Sequence, residues 1–284
     1  MDNKRAIELK IIANRIRKDA LTAVYTAASG HPGGSLSIAD ILTVLYFEVM
    51  NIDPKNPSNP ERDRFVLSKG HCSPALYGTL AERGFFPVRD IPTFRKIGSY
   101  LQGHPDMKGV PGVDMSTGSL GQGICTANGM ALAAKIDNKD YRVYTILGDG
   151  ELEEGQVWEA AMYAAHYKLD NLTAFVDFNG LQIDGDVSEV MSPLPIDKKF
   201  EAFGWNVITV DAHDIIKLYE AVEEAKTVKG KPTLVLMKST KGKGVSFMEN
   251  NPAWHGSAPN EEQYNQAICE LDAQIKDLEV QLNG

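Results

Sequence analysis

The chain has 284 residues, enough to bury a substantial core as one large domain or two small ones, and its 43% apolar and 24% charged content is ordinary for a globular protein. A net charge of −9 argues against a nucleic-acid binder, which relies on clustered Lys and Arg, so any anionic ligand must be held locally. The most apolar run, residues 38–47, is too short for a membrane span and contains Asp40; the opening MDNKRAIELK lacks a signal-peptide core; and Cys72, Cys125 and Cys269 form neither an even disulfide set nor a CxxC pair, which leaves a cytoplasmic location as the default. Taken in chain order, Leu9, Ile12, Ile16, Ala20 and Ala23 recur at helical spacing, and Gly30 is expected to stop that helix before a glycine-rich loop. Ser37 with Asp40 has the form of a capping box opening a second helix through Phe47. A Pro/Asn-rich connector at 53–60 leads to a short strand at 65–67 and a helix at 75–83 ended by Gly84. The Gly/Ala-rich segment 118–135 predicts a closely packed helix. Beyond it, strands at 143–147, 172–177, 205–210 and 233–237 alternate with helices at 157–167 and 215–227. Such alternation predicts an α/β, doubly wound, mainly parallel sheet with helices on both faces. Asn260 caps a last helix, about 260–282, with Ile268, Leu271, Ile275, Leu278 and Leu282 on one side. No boundary signal divides the chain, so residues 1–284 are read as one domain.

The most telling stretch is Gly148-Asp149-Gly150-Glu151, which closes one apolar run, together with Asn179, which closes the next. Both are placed at the carboxyl ends of parallel strands, the edge where ligands bind in such sheets. Asp, Asn and backbone carbonyls are hard oxygen donors of the kind that Mg²⁺ or Ca²⁺ selects. Gly150 lets the backbone approach an anion, and a following helical turn adds its N–H groups. A metal-anchored diphosphate is the ligand this pattern suits. GDG alone is a weak signal, because a small acidic turn after a strand needs no ligand; the GELEEG that follows and the NGLQIDG beginning thirty residues after Asp149 strengthen it.

Six histidines occur, four of them beside glycine: His31 in SGHPGG, His71 in KGHCSPA, His104 in QGHPDM and His255 in AWHGSA. A loop histidine is more often a solvated turn residue than a functional one, but four in similar settings suit hydrogen bonding to hydroxyls and proton shuttling. None has the paired spacing of a zinc site. His166, within a helix, and His213, in a DAHD turn, carry the bland interpretation, and Cys72 lacks the third group that would orient a nucleophile.

SGHPGG, LSKGH, GHPD, STGSLGQG, GDGELEEGQVWEA, the Asn179 segment and AWHGSAPNEE occur in the order seen in transketolases, so the chain resembles that family from about Ser29 to Glu262. The GDG-to-Asn portion resembles the thiamine diphosphate fingerprint. That resemblance implies octahedral Mg²⁺, or Ca²⁺ or Mn²⁺ in its place, held by the Asp149 carboxylate, the Asn179 side-chain oxygen and the Leu181 carbonyl, with diphosphate oxygens completing the shell. It further implies Gly118 and Leu120 in the cofactor wall, Gly150 at the diphosphate and Ile183 on the thiazolium ring. His71 would reach the diphosphate, His255 both diphosphate and substrate, and His31 and His104 substrate hydroxyls near the reacting carbon. Glu154 matches the acidic residue that links paired cofactor sites across a dimer. One departure is Ser119, where many members have proline.

Nothing after Glu262 resembles the pyrimidine-binding domain, which in transketolases brings the glutamate that activates the cofactor and the arginines that hold the sugar phosphate. The resemblance therefore implies the N-terminal subunit of a two-chain transketolase. It would move a two-carbon ketol unit from a ketose or ketose phosphate to an aldose or aldose phosphate with a partner subunit that carries the pyrimidine domain, in assemblies such as two copies of each chain. Met1 and a terminal helix closed by Gly284 predict natural ends, a fragment of a longer enzyme being the other interpretation. Two further functions stay open at this point: a subunit like the α chain of a 2-oxo acid dehydrogenase E1, and a non-catalytic cofactor-binding module.

Overall fold

The computed structural model describes residues 1–284. Its strands are β1 (Arg64–Leu67), β2 (Val143–Gly148), β3 (Leu172–Phe178), β4 (Leu181–Gln182), β5 (Gly185–Asp186), β6 (Asn206–Asp211) and β7 (Thr233–Lys238). Five of them form one sheet in the order β1-β2-β3-β7-β6, every pair parallel, while β4 and β5 make a separate antiparallel ribbon. The helices are α1 (Asn3–Ala27), α2 (Pro32–Ser37), α3 (Ala39–Val44), α4 (Ser73–Arg83), α5 (Gln122–Ile136), α6 (Gly155–His166), α7 (Val187–Val190), α8 (Ile196–Ala202), α9 (Ile215–Thr227) and α10 (Glu261–Asn283).

Strands covered on both faces read as continuous apolar runs, and β2 and β3 are buried along nearly their whole length. Successive side chains point to opposite faces, so Ile146 and Phe175 enter the core shared with α1, α3, α4 and α9, whereas Leu147, Ala174 and Val176 enter the core shared with α5, α6 and α8. The expected doubly wound architecture is present. α10 lies along α1, with Tyr264 stacked on Tyr25 at 4.1 Å, and its first turn is closed by a reciprocal Asn260–Gln263 capping box. Of the expected apolar side of α10, Leu271 is buried and Ile275, Leu278 and Leu282 are half-buried.

Four local expectations fail. α1 ends not at Gly30 but at Ala28, which takes the left-handed conformation at φ 47° and returns its N–H to Tyr25 and Val24 carbonyls. The SGHPGG segment is not a loop: α2 starts at Pro32, whose fixed φ suits a first helical turn and whose missing N–H costs nothing there. Ser37 and Asp40 form no capping box. The Ser37 hydroxyl donates to Gly34 O (3.0 Å) and Asp177 Oδ2 (2.7 Å), and Asp40 pairs with Arg17. The Gly/Ala-rich helix begins at Gln122, four residues later than expected from its composition. It does pack closely, since a Cβ on Gly123 would stand 2.5 Å from Ser68 Cα.

The register decides where the chain's chemistry gathers. Gly148 pairs with Asp177 and Phe178 with Lys238, so Asp149, Asn179 and Ser239 leave the sheet within one residue of the same level at the carboxyl edge. Ser68 to His71 leave β1 at the same edge, one strand away.

Candidate active site

A cleft of about 450 Å³ opens at this edge, and every residue singled out in the sequence as a metal, cofactor or substrate contact lines it. On its floor Asp149 is 3% exposed; its two oxygens accept the Gly150 N–H (2.9 Å) and the Gly180 N–H (2.7 Å). Asn179 is turned by its neighbours: Oδ1 accepts the Leu181 N–H (3.1 Å), and Nδ2 donates to Asp177 Oδ2 (3.0 Å). Asp177 is fully buried and also accepts from Lys69 Nζ, Ser37 and Ser239. Burial opposes the charge of Asp177, but Lys69 outweighs it and holds the carboxyl below its usual range. Asp149 has no such partner; burial and then the negative charge of Asp177 push it up to about 6. Glu151 ties three loops together, accepting the Gly121 N–H (2.8 Å), the Gly148 N–H (3.0 Å) and the Ser68 hydroxyl.

Hard-cation chemistry fits this floor. A carboxylate, an amide oxygen and a backbone carbonyl from Asp149, Asn179 and Leu181 are the donor types that Mg²⁺ takes, with room left for anionic oxygens. The Leu181 carbonyl already attracts a cation, Lys241 Nζ at 3.0 Å, which lies equally 3.0 Å from His255 Nδ1. Burial, and then the charge of Lys69, lower Lys241 to about 8.

Above the floor stand three imidazoles. Ring centroids of His31 and His71 are 5.1 Å apart, those of His31 and His255 5.4 Å, and those of His71 and His255 5.5 Å. Burial, reinforced by Arg95, lowers His31 to about 4, and burial with Lys241 lowers His255 to about 3; His71 falls well below its ordinary value, from burial and Lys69. All three are neutral at physiological pH, so each offers one donor and one acceptor. Nδ1 of His31 is buried without a partner. His104 is more exposed, with its ring against Gly118. Leu120, Gly150, Glu154 and the exposed Ile183 also line the cleft.

The sequence assigns no role in this cleft to Lys69, Lys241, Asp177 or Glu151, although it places Lys241 near the site. A lysine within a glycine-containing loop after a strand, as in LSKGH and STKGKG, is the signal that marks the first two. Gly34 leaves the space that Lys69 uses, because a Cβ there would stand 2.9 Å from Cys72 Sγ and 3.2 Å from Lys69 Nζ. Cys72 is buried and its thiol is pushed up to about 11, first by burial, so it is no nucleophile near neutral pH. His166 is exposed on α6, and His213 lies behind the cleft, bonded to Asp40 and to the Thr240 N–H.

Residues 8–280 match the family described as transketolase, thiamine diphosphate binding domain. The chain is 48% identical to a 6-deoxy-6-sulfo-D-fructose transketolase subunit of a Clostridium species, over 95% of this chain and 98% of that protein. It is 44% identical to one subunit of an apulose-4-phosphate transketolase of Phocaeicola vulgatus, over 97% and 98% of the two chains. It is also 43% identical to Homo sapiens transketolase, but spans 44% of that longer protein. Among solved structures, a Campylobacter jejuni transketolase superposes with a TM-score of 0.86 at 33% identity, covering 98% of this chain and 48% of the other. The chain belongs to the transketolase family, with the extent and the fold of its N-terminal, thiamine diphosphate-binding part.

Proposed function

We infer that the chain is the diphosphate-binding subunit of a two-chain transketolase, which transfers a two-carbon ketol unit from a ketose or ketose phosphate to an aldose or aldose phosphate. One observation carries this most: the chain spans 98% of proteins named as transketolase subunits and 44% of a full-length transketolase, while the floor of its cleft gathers three hard oxygen donors in Asp149, Asn179 and Leu181. Residues 1–284 act as one diphosphate-type domain. Asp149, Asn179 and Leu181 hold Mg²⁺, with Ca²⁺ or Mn²⁺ as substitutes. Gly150, His71 and Lys241 meet the diphosphate, and Gly118, Leu120 and Ile183 bound the thiazolium. When bound, thiamine diphosphate supplies the electron sink for cleaving and forming the carbon–carbon bond.

The neutral rings of His31, His104 and His255 accept and donate hydrogen bonds to substrate hydroxyls and shuttle protons at the reacting carbon. Lowered affinity for protons suits acceptors that must release a proton quickly, and the unpartnered Nδ1 of His31 is the atom most open to such a role. Glu154, exposed at the start of α6, links paired sites in an assembly of two copies of each chain. The partner supplies the pyrimidine-binding domain. Free thiols at Cys72, Cys125 and Cys269 favour the reducing cytoplasm, and no helix is long and apolar enough to cross a membrane.

The test is to titrate the chain with thiamine diphosphate and Mg²⁺, with and without a subunit carrying the pyrimidine domain, while assaying ketol transfer between pentose phosphates. Weak binding and no transfer by the chain alone, both restored by the partner, are expected. Full activity from this chain alone would prove the divided site wrong.

A further inference from the structure

Lys241 is the cleft's link between Leu181 and His255, yet it stands on a segment that belongs to no helix or strand. That segment is fixed from several directions. Ser239 N–H donates to Phe178 O at 3.0 Å, Gly242 N–H to Gly33 O at 2.9 Å, and Lys241 O accepts the Asn250 N–H at 2.9 Å. Between these anchors, the Thr240 N–H donates to a side chain, His213 Nε2, at 2.9 Å. A backbone N–H can only donate, so Nε2 must carry a lone pair and the ring proton must sit on Nδ1. Nδ1 faces Asp40 Oδ2 at 2.8 Å, the oxygen that also receives the Arg17 guanidinium. Arg17 is itself held by Asn14 Oδ1 (3.0 Å) and Leu36 O (3.2 Å). The side chains of Arg17, Asp40 and His213 are only 5%, 6% and 16% exposed.

Each link therefore constrains the next: the carboxylate fixes the tautomer, the tautomer fixes the Thr240 amide, and that amide precedes the lysine. We propose that His213 is a positioning residue for Lys241, holding the 239–242 segment so that the ammonium points into the cleft at its anionic ligand. The role rests on the diphosphate assignment of the cleft, and it departs from the expectation that His213 is a plain turn residue. Nothing about His213 requires contact with substrate, because it acts through one backbone amide.

The experiment uses the full chain assembled with a subunit carrying the pyrimidine domain, with inorganic diphosphate and Mg²⁺ as the probe. His213→Phe keeps a ring of similar shape but removes the acceptor, whereas His213→Gln keeps one acceptor beside one donor. Hydrogen exchange at Thr240 is expected to speed up about tenfold in His213→Phe and to return toward wild type in His213→Gln. Diphosphate affinity is expected to fall about tenfold in the first and recover in the second. In a Lys241→Met background, His213→Phe should cost no further affinity, since a positioning residue has nothing left to position. Equal losses in both backgrounds, or unchanged exchange at Thr240, would overturn the proposal. If His213→Phe fails to fold, His213→Asn, which is too short to reach Thr240, gives the same comparison. A wild-type chain that ignores diphosphate would refute the ligand assignment instead, and exchange at Thr240 would still decide the role of His213.

Discussion

The floor and the wall of the cleft are built on opposite terms. On the floor, Asp149 accepts two backbone N–H groups, Asn179 uses both ends of its amide, and Asp177 gathers four side-chain donors. On the wall, His31 Nδ1 is buried with no partner, and the bond that His255 Nδ1 makes is to the long, flexible side chain of Lys241. Groups whose hydrogen bonds are already made hold a shape, so the floor is suited to a ligand of fixed geometry. Groups left unmade carry a desolvation cost that a ligand relieves, so the wall is suited to the reacting molecule. Preorganised hydrogen bonds thus suit the floor to binding, and unmet ones suit the wall to the reacting molecule, within one cavity.

The sharpest way to break that division is at the floor. Asp149→Ala deletes the one carboxylate of the donor set and frees the Gly150 and Gly180 amides. Mg²⁺-dependent affinity for thiamine diphosphate is expected to drop by about a hundredfold, measured by calorimetry on the chain assembled with its partner. Asn179→Ala should behave similarly. Wild-type affinity in either variant would remove the floor from any role in the cofactor. At the wall the expected pattern reverses: His31→Ala and His104→Ala should lower turnover by about a hundredfold while cofactor affinity stays within about threefold. His255→Ala, which also loses contact with Lys241, should affect both. If the wall variants lost cofactor binding and kept turnover, floor and wall would have been assigned the wrong way round.

Much of this arrangement was legible in the sequence, and most of the illegible part has one physical origin. β3, β7 and α9 are found close to where their apolar runs and helical spacing put them, because strands buried on both faces leave an unbroken signal. Asp149 and Asn179 share an edge because both close such runs, and the four glycine-flanked histidines line the cleft at that edge. By contrast, Ser37 and Asp40 look like a local capping box, but they are taken by Asp177 and Arg17, residues 140 and 23 positions away. Lys69 finds Asp177 at a separation of 108, and His213 finds Asp40 at 173. Local pattern cannot report a buried polar pair whose partners meet only after the sheet has formed. The end of α1 is a different case, since Ala28 bears the strain of a left-handed residue where a nearby glycine was the simpler expectation.

A third prediction moves from the cleft to its support. Arg17, on α1, and His213, after β6, both face Asp40 on α3. Burial works against its charge, but these two partners lower Asp40 to about 2. Because the folded value lies below the unfolded one of about 3.9, the stabilisation is fully present above about pH 4 and is lost as pH falls toward 2. The size of that loss is about 2 kcal/mol. Urea unfolding of wild type and Asp40→Asn should therefore show a stability gap that narrows by about this amount between pH 5 and pH 2. A gap independent of pH would mean that Asp40 is not held charged by its partners, and that the support of His213 is not electrostatic.

The smallest effect is expected at His166, and it serves to show that position rather than residue type separates the histidines. His166 ends α6, where its side chain is exposed and its ring meets the edge of Tyr167 at 4.9 Å. It lines no part of the cleft, and it bonds to no residue that does. His166→Ala should change stability by less than about 0.5 kcal/mol, as exposed substitutions that break no side-chain hydrogen bond or ion pair do. Both kcat and KM of the assembled enzyme should match wild type. A turnover loss comparable to that of His31→Ala would mean that α6 transmits to the cleft. In that event the exposed aromatic face of Tyr163, His166 and Tyr167, and not the floor and wall alone, would have to be counted as part of the working site.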